Sequence, residues 1–122
     1  MSRALVIIDH GSRRPEAHRH LEWIAEQVRQ GARDLDVFIA HLELAEPSLE
    51  TAIEACARGG ASDVLIHPLF LLPGRHLSRD LPSQVKDAAA RHPGLRIRLT
   101  EPLGKQPGLA QLILGALESH PS

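Results

Sequence analysis

Aromatic residues are scarce in this sequence, which has two Phe, one Trp and no Tyr among 122 residues. The interior of a folded domain must therefore be filled by Leu, Ile, Val and Ala. The single cysteine, Cys56, excludes an internal disulfide and is typical of a protein from a reducing compartment. Charge of one sign is not in excess either, because 14 basic residues accompany 15 acidic ones. The composition therefore predicts neither a nucleic-acid partner nor a membrane surface held by bulk charge.

Long hydrophobic runs are also missing. The N-terminal apolar run, residues 4–8, is too short for the core of a signal peptide or for a membrane span, which needs ~20 residues. We therefore expect a cytoplasmic protein. The length and the 43% hydrophobic content predict one globular domain over residues 1–122.

Two kinds of segment alternate along the chain. Short apolar runs rich in Val, Ile and Leu predict strands buried on both faces, at residues 4–8, 37–41, 64–67 and 97–99. Apolar residues spaced by three and four predict helices over about 15–32, about 47–58, from near 81 to 92, and from near 106 onward. This alternation predicts an α/β, three-layer fold with a four-stranded parallel sheet of order 2-1-3-4 and helices on both faces.

Polar residues follow three of the predicted strands. Open parallel sheets bind ligands beyond the carboxyl ends of their strands, where the strand order reverses. The order 2-1-3-4 puts that point between strands 1 and 3, so we expect His10, Glu43 and His76 to meet at one edge. Two imidazoles and a carboxylate can bind a divalent transition metal, and histidine can also accept protons near neutral pH.

The segment after strand 3 changes abruptly from apolar to polar, reading LFLLPGRH over residues 69–76. Its apolar part, ending at Leu72, is typical of a contact with a partner or a flat ligand. Gly74 would allow close approach of the backbone, and Arg75 and Arg79 could pair with ligand carboxylates. We expect His76 to lie in this loop, with the next helix beginning near Leu81-Pro82.

Four motifs of this sequence resemble the sirohydrochlorin chelatases. They are LVIIDHGSR at 5–13, AHLELAEPSL at 40–49, PLFLLPGRHLSRDLP at 68–82 and TEPLG at 100–104. The resemblance covers nearly the whole chain, and its most specific part is Gly-Arg-His followed by Asp and Pro.

This resemblance implies a chelatase-like fold and the insertion of Co²⁺, Fe²⁺ or Ni²⁺ into sirohydrochlorin, with the metal as substrate and no organic cofactor. It implies that His10 and His76 bind the metal and take the pyrrole protons, assisted by Glu43. It also implies a short, single-lobe member that acts as a homodimer, without nucleic-acid or membrane partners. The expected contacts with the tetrapyrrole are Ser12, Arg13, Arg14, Leu72, Gly74, Arg75 and Arg79.

Several alternatives stay open from the residues alone. The same trio could serve a non-enzymatic nickel or cobalt carrier, and Asp9-His10-Gly11-Ser12-Arg13 is reminiscent of histidine phosphatases, although Asp replaces their first Arg.

Single residues also have plainer explanations. Glu46 is an alternative to Glu43 as the acidic residue of the site, and Ser12 could cap the first helix. His41 and His67 end strands and are expected to be packed or hydrogen-bonded, whereas His18 is expected at the surface.

Overall fold

The computed structural model describes residues 2–72 and 74–120, and the side chain of His76 lies outside the described part. Strands and helices alternate in this order: β1 (Arg3–Asp9), α1 (Pro15–Gly31), β2 (Asp36–His41), α2 (Leu49–Arg58), β3 (Asp63–Pro68), α3 (Arg75–Arg91), β4 (Arg96–Leu99), the 3₁₀ turn η1 (Leu103–Lys105) and α4 (Leu109–Glu118).

The four strands form one parallel sheet of order β2-β1-β3-β4, which confirms the predicted topology. Because Asp9 pairs with His41 in the sheet register, β1 and β2 end at the same level. The residues that follow the two strands therefore leave the sheet side by side. The sequence analysis predicted that the candidate functional residues lie at this edge.

Each face of the sheet has its own apolar core. Helices α2 and α3 cover one face, and α1 packs on the β1–β2 half of the other. Cys56 lies fully buried in the first core, where burial raises the pKa of its thiol to about 12. The thiol therefore stays protonated at neutral pH and acts as a small core residue.

Helix α3 begins at Arg75, so the predicted start near Leu81-Pro82 is wrong, and His76 is the second helical residue rather than part of a loop. A proline inside a helix removes one hydrogen bond and costs ~3 kcal/mol, which is why a helix start was predicted there. Here Leu77 and Leu81 lie one turn apart, are 8% and 3% exposed, and face the core with Ala88. Burial of this apolar stripe keeps the helix continuous through Pro82.

The last helix, α4, is apolar yet lies almost entirely in solvent. Leu112, Ile113, Leu114 and Leu117 are 64%, 65%, 50% and 68% exposed, and the main contact of α4 is with the adjoining η1. The β1–β3 part of the sheet face beside α1 correspondingly carries an open groove of about 440 Å³. This sheet groove is lined by Leu5, Ile7, Ile24, Val28, His67, Leu69, Thr100, Leu103 and Gln106. Among the described residues, α4 therefore does not pack extensively against the sheet of its own chain.

No helix within residues 2–72 and 74–120 has both the length and the apolar character that a membrane span requires.

Candidate functional site

His10 and Glu43 meet just beyond the carboxyl ends of β1 and β2. His10 Nε2 lies 3.0 Å from Glu43 Oε1, and both side chains are 58% exposed. Since a carboxylate can only accept, Nε2–H donates this bond and Nδ1 retains a lone pair for a proton or a metal. Among the side chains that the structure describes, no group of three metal-binding residues is present.

Gly11 allows these two residues to approach each other. Its φ of +104° lies in the left-handed region, and a Cβ at this position would overlap the carbonyl of Glu43. Glu43 N donates to His10 O at 3.2 Å, and Leu42 N donates to Asp9 O at 3.0 Å. The parallel pairing of β1 with β2 therefore continues past the strand ends, and only glycine fits beside it.

The loop after β2 presents Glu43 and keeps Glu46 for another purpose. Leu44, at the tip, has a φ of +71°, a conformation that costs energy in a non-glycine residue. Glu46 Oε1 accepts from Ser48 N at 3.2 Å and Thr51 Oγ1 at 3.3 Å, at the start of α2. Glu46 thus serves the helix N-terminus, which leaves Glu43 as the acid beside His10.

Three of the residues predicted to contact a tetrapyrrole share a cleft of about 460 Å³ at the start of α1. Ser12, Arg13 and Arg14 line it, together with Leu44 and Glu46 from the loop after β2. Ser12 Oγ accepts from Arg14 N at 3.1 Å and so orders the turn, while Arg14 itself is the N-cap of α1. The arginine side chains remain exposed and available to an anionic ligand.

The remaining predicted contacts lie after β3. Leu72 is 68% exposed, and Gly74, the N-cap of α3, has nothing within 4 Å of where a Cβ would stand. Arg75 and Arg79 lie one turn apart in the exposed first turns of α3. The prediction that His76 contributes to the site concerns a side chain outside the described part of the structure.

The sequence analysis did not predict the row of hydrogen-bonded polar side chains that lies directly behind the site. His41 is only 2% exposed, and its Nδ1 lies 2.7 Å from Asp9 Oδ1 while its Nε2 lies 2.9 Å from His18 Nδ1. The hydrogen-bonded role predicted for His41 is confirmed, but the surface role predicted for His18 is wrong, because this side chain is half-buried against His41. The adjacency of Asp9 to His10, with His41 opposite in the register, was a signal available from the strand pattern.

His67, at the end of β3, is hydrogen-bonded as predicted, with its Nδ1 2.8 Å from Thr100 Oγ1. Burial in the sheet groove lowers the pKa of its imidazole below the usual 6.5. The unfolded chain therefore binds the proton at a higher pH than the folded protein does, so acidification from neutral pH through 6.5 and down to the lowered pKa of the folded protein favours unfolding.

We expect the stability of the wild type to fall over this range more than that of His67→Gln, which lacks the titrating group but can still bond Thr100. Thermal denaturation at a series of pH values measures the difference, with exposed His120→Gln as the control. Parallel curves for all three proteins would remove this role from His67.

Comparisons with known proteins add to this geometry. The CbiX family model matches residues 4–119. Over 100 residues the chain is 42% identical to the chloroplastic sirohydrochlorin ferrochelatase of Arabidopsis thaliana. The aligned region covers 82% of this chain and 44% of that protein. Over 104 residues it is 34% identical to the sirohydrochlorin ferrochelatase of Bacillus subtilis, covering 85% of this chain and 40% of that protein. The chain thus spans less than half the length of these two relatives.

Solved structures agree with these sequence relationships. A candidate CbiX protein of cobalamin biosynthesis from Marinobacter aquaeolei VT8 matches with a TM-score of 0.84 and 34% identity, covering 96% of this chain and 95% of that chain. SirB from Bacillus subtilis with Fe³⁺ matches with a TM-score of 0.84 and 29% identity, covering 98% of this chain and 47% of that chain. With a family model that spans nearly its whole length and the same fold in these structures, the protein belongs to the CbiX family.

Proposed function

We propose that this protein is a chelatase that inserts a divalent metal, Co²⁺, Fe²⁺ or Ni²⁺, into sirohydrochlorin. The observation that carries the proposal is the His10–Glu43 pair, 3.0 Å apart at the carboxyl edge of β1 and β2. Insertion replaces two pyrrole N–H protons by a dication, so it needs a metal ligand and a proton acceptor in one place. Neutral histidine serves both needs, and an adjacent carboxylate offsets the charge that arrives.

In this mechanism His10, Glu43 and His76 bind the incoming metal, which is a substrate. As the metal passes to the ring nitrogens, the lone pairs of His10 and His76 that held it become free and accept the two pyrrole protons. Glu43 stabilises the protonated His10 and passes protons to solvent. The exposure of the pair, 58% for each side chain, gives such protons a direct exit. His76 belongs to the first turn of α3, and α3 follows β3 at the same edge of the sheet.

The surroundings suit a flat, apolar ring bordered by carboxylates. Exposed arginines flank the edge on two sides, Arg13 and Arg14 before α1 and Arg75 and Arg79 in α3. Guanidinium groups bind carboxylates through two parallel hydrogen bonds. Ser12 and Gly74 bring backbone close to the ligand in this proposal, and Leu72 packs against the ring.

We also infer that two copies of the chain associate as a homodimer, each copy being a single domain. The supporting observation is a pair of complementary apolar surfaces on one chain: the exposed α4 and the open sheet groove. Isolated apolar helices are marginal in water, and soluble proteins seldom expose apolar patches of several hundred Å².

A reciprocal exchange of α4 fills both grooves by one symmetric contact. The apolar stripe of α4 at Leu112, Ile113 and Leu117 matches the aliphatic walls of the groove. The relatives that are about twice as long as this chain have room for two such lobes in one polypeptide. The free, buried Cys56 supports a reducing compartment such as the cytoplasm.

The decisive experiment is a visible-absorbance assay with sirohydrochlorin and Co²⁺, Fe²⁺ or Ni²⁺ in separate reactions. We expect spectral change faster than the metal alone produces, and loss of about 100-fold or more of the rate in His10→Ala, the range found on removing acid–base groups. Metal binding without acceleration would instead support a nickel or cobalt carrier. Hydrolysis of a phosphomonoester that is lost in His10→Ala would support the phosphatase.

A further inference from the structure

Behind the His10–Glu43 pair, three polar side chains form a hydrogen-bonded chain. Asp9 ends β1, His41 ends β2, and His18 lies at the end of the first turn of α1. His41 is the one polar residue that is fully buried among those that the structure describes. Burial of an imidazole costs free energy unless both ring nitrogens are bonded, and here both are, at 2.7 Å to Asp9 and 2.9 Å to His18.

The chemistry of the three groups indicates which atom donates and which accepts in each of the two hydrogen bonds. The Asp9 carboxylate accepts, so His41 Nδ1–H donates to it. The other nitrogen of a neutral His41 then carries the lone pair, and His18 Nδ1–H donates to it. Each group therefore holds the next in a single orientation, and three separate elements of the fold are joined through one buried ring.

The position of His41 connects this chain to the candidate site. Asp9 and His41 are partners in the register of the sheet, and the next backbone bonds outward run from Leu42 N to Asp9 O and from Glu43 N to His10 O. His41 N also donates to Pro47 O at 2.8 Å, at the far end of the loop that carries Glu43. The backbone and side chain of His41 thus fix both strand ends and both ends of the loop.

We propose that His41, held between Asp9 and His18, is the positioning residue that keeps His10 and Glu43 in register for metal insertion. Its links run through the backbone of β1 and β2 and through α1, and none of the three side chains needs to touch the metal. The proposal rests on the proposed chelatase function. It assigns to His18, a residue of α1 outside the metal-binding trio, a measurable effect on that trio.

Substitutions at His18 test this without altering the strands that carry the site. His18→Leu removes the donor to His41, whereas His18→Asn places an amide N–H near the position of Nδ1 and restores it. His41→Leu removes both links. The matched control is His92→Leu, which breaks another histidine–carboxylate bond, 3.0 Å from His92 Nε2 to Glu50 Oε1, that joins the end of α3 to the first turn of α2 and includes no residue of β1 or β2.

Two readouts separate positioning from stability. The first is the visible spectrum of Co²⁺ alone titrated into the protein, which reports the arrangement of its ligands. The second is the kinetics of insertion, with kcat and the KM for sirohydrochlorin determined separately. Removal of a group that orients a metal ligand typically lowers metal affinity or activity by about 10–100-fold. We therefore expect kcat to fall within this range for His41→Leu and by about tenfold for His18→Leu. KM should change less than threefold, and His18→Asn should recover most of the activity.

The proposal is overturned if His18→Leu and His41→Leu lower the melting temperature yet keep the wild-type Co²⁺ spectrum and kcat, as His92→Leu should. The chain would then be a purely structural contact. If the wild type shows no insertion at all, the chelatase proposal fails, but the Co²⁺ spectra still decide the positioning role. In that case His10→Ala must lose the signal that His18→Leu perturbs.

Discussion

Replacing Gly11 by alanine is expected to reduce the proposed metal insertion by about 100-fold or more. The added Cβ overlaps the backbone carbonyl of Glu43, which is not a flexible atom that can move aside. The φ of +104° is also unfavourable for alanine. The ends of β1 and β2 must therefore separate, and the 3.0 Å contact between His10 and Glu43 is lost with them. An acid–base pair out of place loses most of its effect on the rate.

Gly60 provides the matched control for this variant. It has a φ of +87°, but nothing lies within 4 Å of where its Cβ would be, and it follows α2, away from the site. Gly60→Ala should therefore carry a similar conformational cost, ~1–2 kcal/mol of stability, and keep the wild-type rate. Melting temperatures and insertion kinetics of both variants give the comparison. A Gly11→Ala protein that is folded and retains more than about a tenth of the rate would mean that the His10–Glu43 contact does not limit insertion.

The fold and the first half of the site were predictable because they depend on local pattern and topology. Continuous apolar runs at β1 and β3 indicated buried parallel strands, and the alternation with helices gave the order β2-β1-β3-β4. Strand order then placed the residues after β1 and β2 together, which is why His10 and Glu43 were found from residues 33 positions apart. Nothing in this step needed the detail of side-chain packing.

Other features depend on which surfaces meet, and periodicity does not encode that. The start of α3 was missed because Pro82 is a strong local signal, whereas the burial of Leu77 and Leu81 is decided by the sheet beneath them. His18 lies on α1 between residues that face the core, and only the folded structure shows the His41 ring it bonds. The pattern of α4 predicted an apolar face correctly but gave no information on what that face packs against.

Placing a charge on the apolar stripe of α4 is expected to convert the proposed homodimer into a monomer. Large aliphatic side chains contribute ~1.5–3 kcal/mol each when they move fully from water into an apolar contact. Ile113→Glu loses that contribution and buries a carboxylate against an aliphatic wall, and by symmetry the change occurs twice in each dimer. A combined loss of ~6 kcal/mol would raise the dissociation constant about 10⁴-fold. Sedimentation or light scattering at micromolar concentration should then give 13.4 kDa in place of twice that mass.

Two further variants show whether α4 of one copy occupies the sheet groove of the other. Gln111→Glu adds the same charge on the opposite side of α4, where helical spacing places it away from the stripe, and should leave the dimer intact. Val28→Asp charges the groove wall instead, and should produce the monomer as Ile113→Glu does. A dimer that survives both Ile113→Glu and Val28→Asp would mean that the copies associate through another surface. Loss of the dimer in Ile113→Glu alone would mean that α4 packs outside the groove, for example against α4 of the second copy.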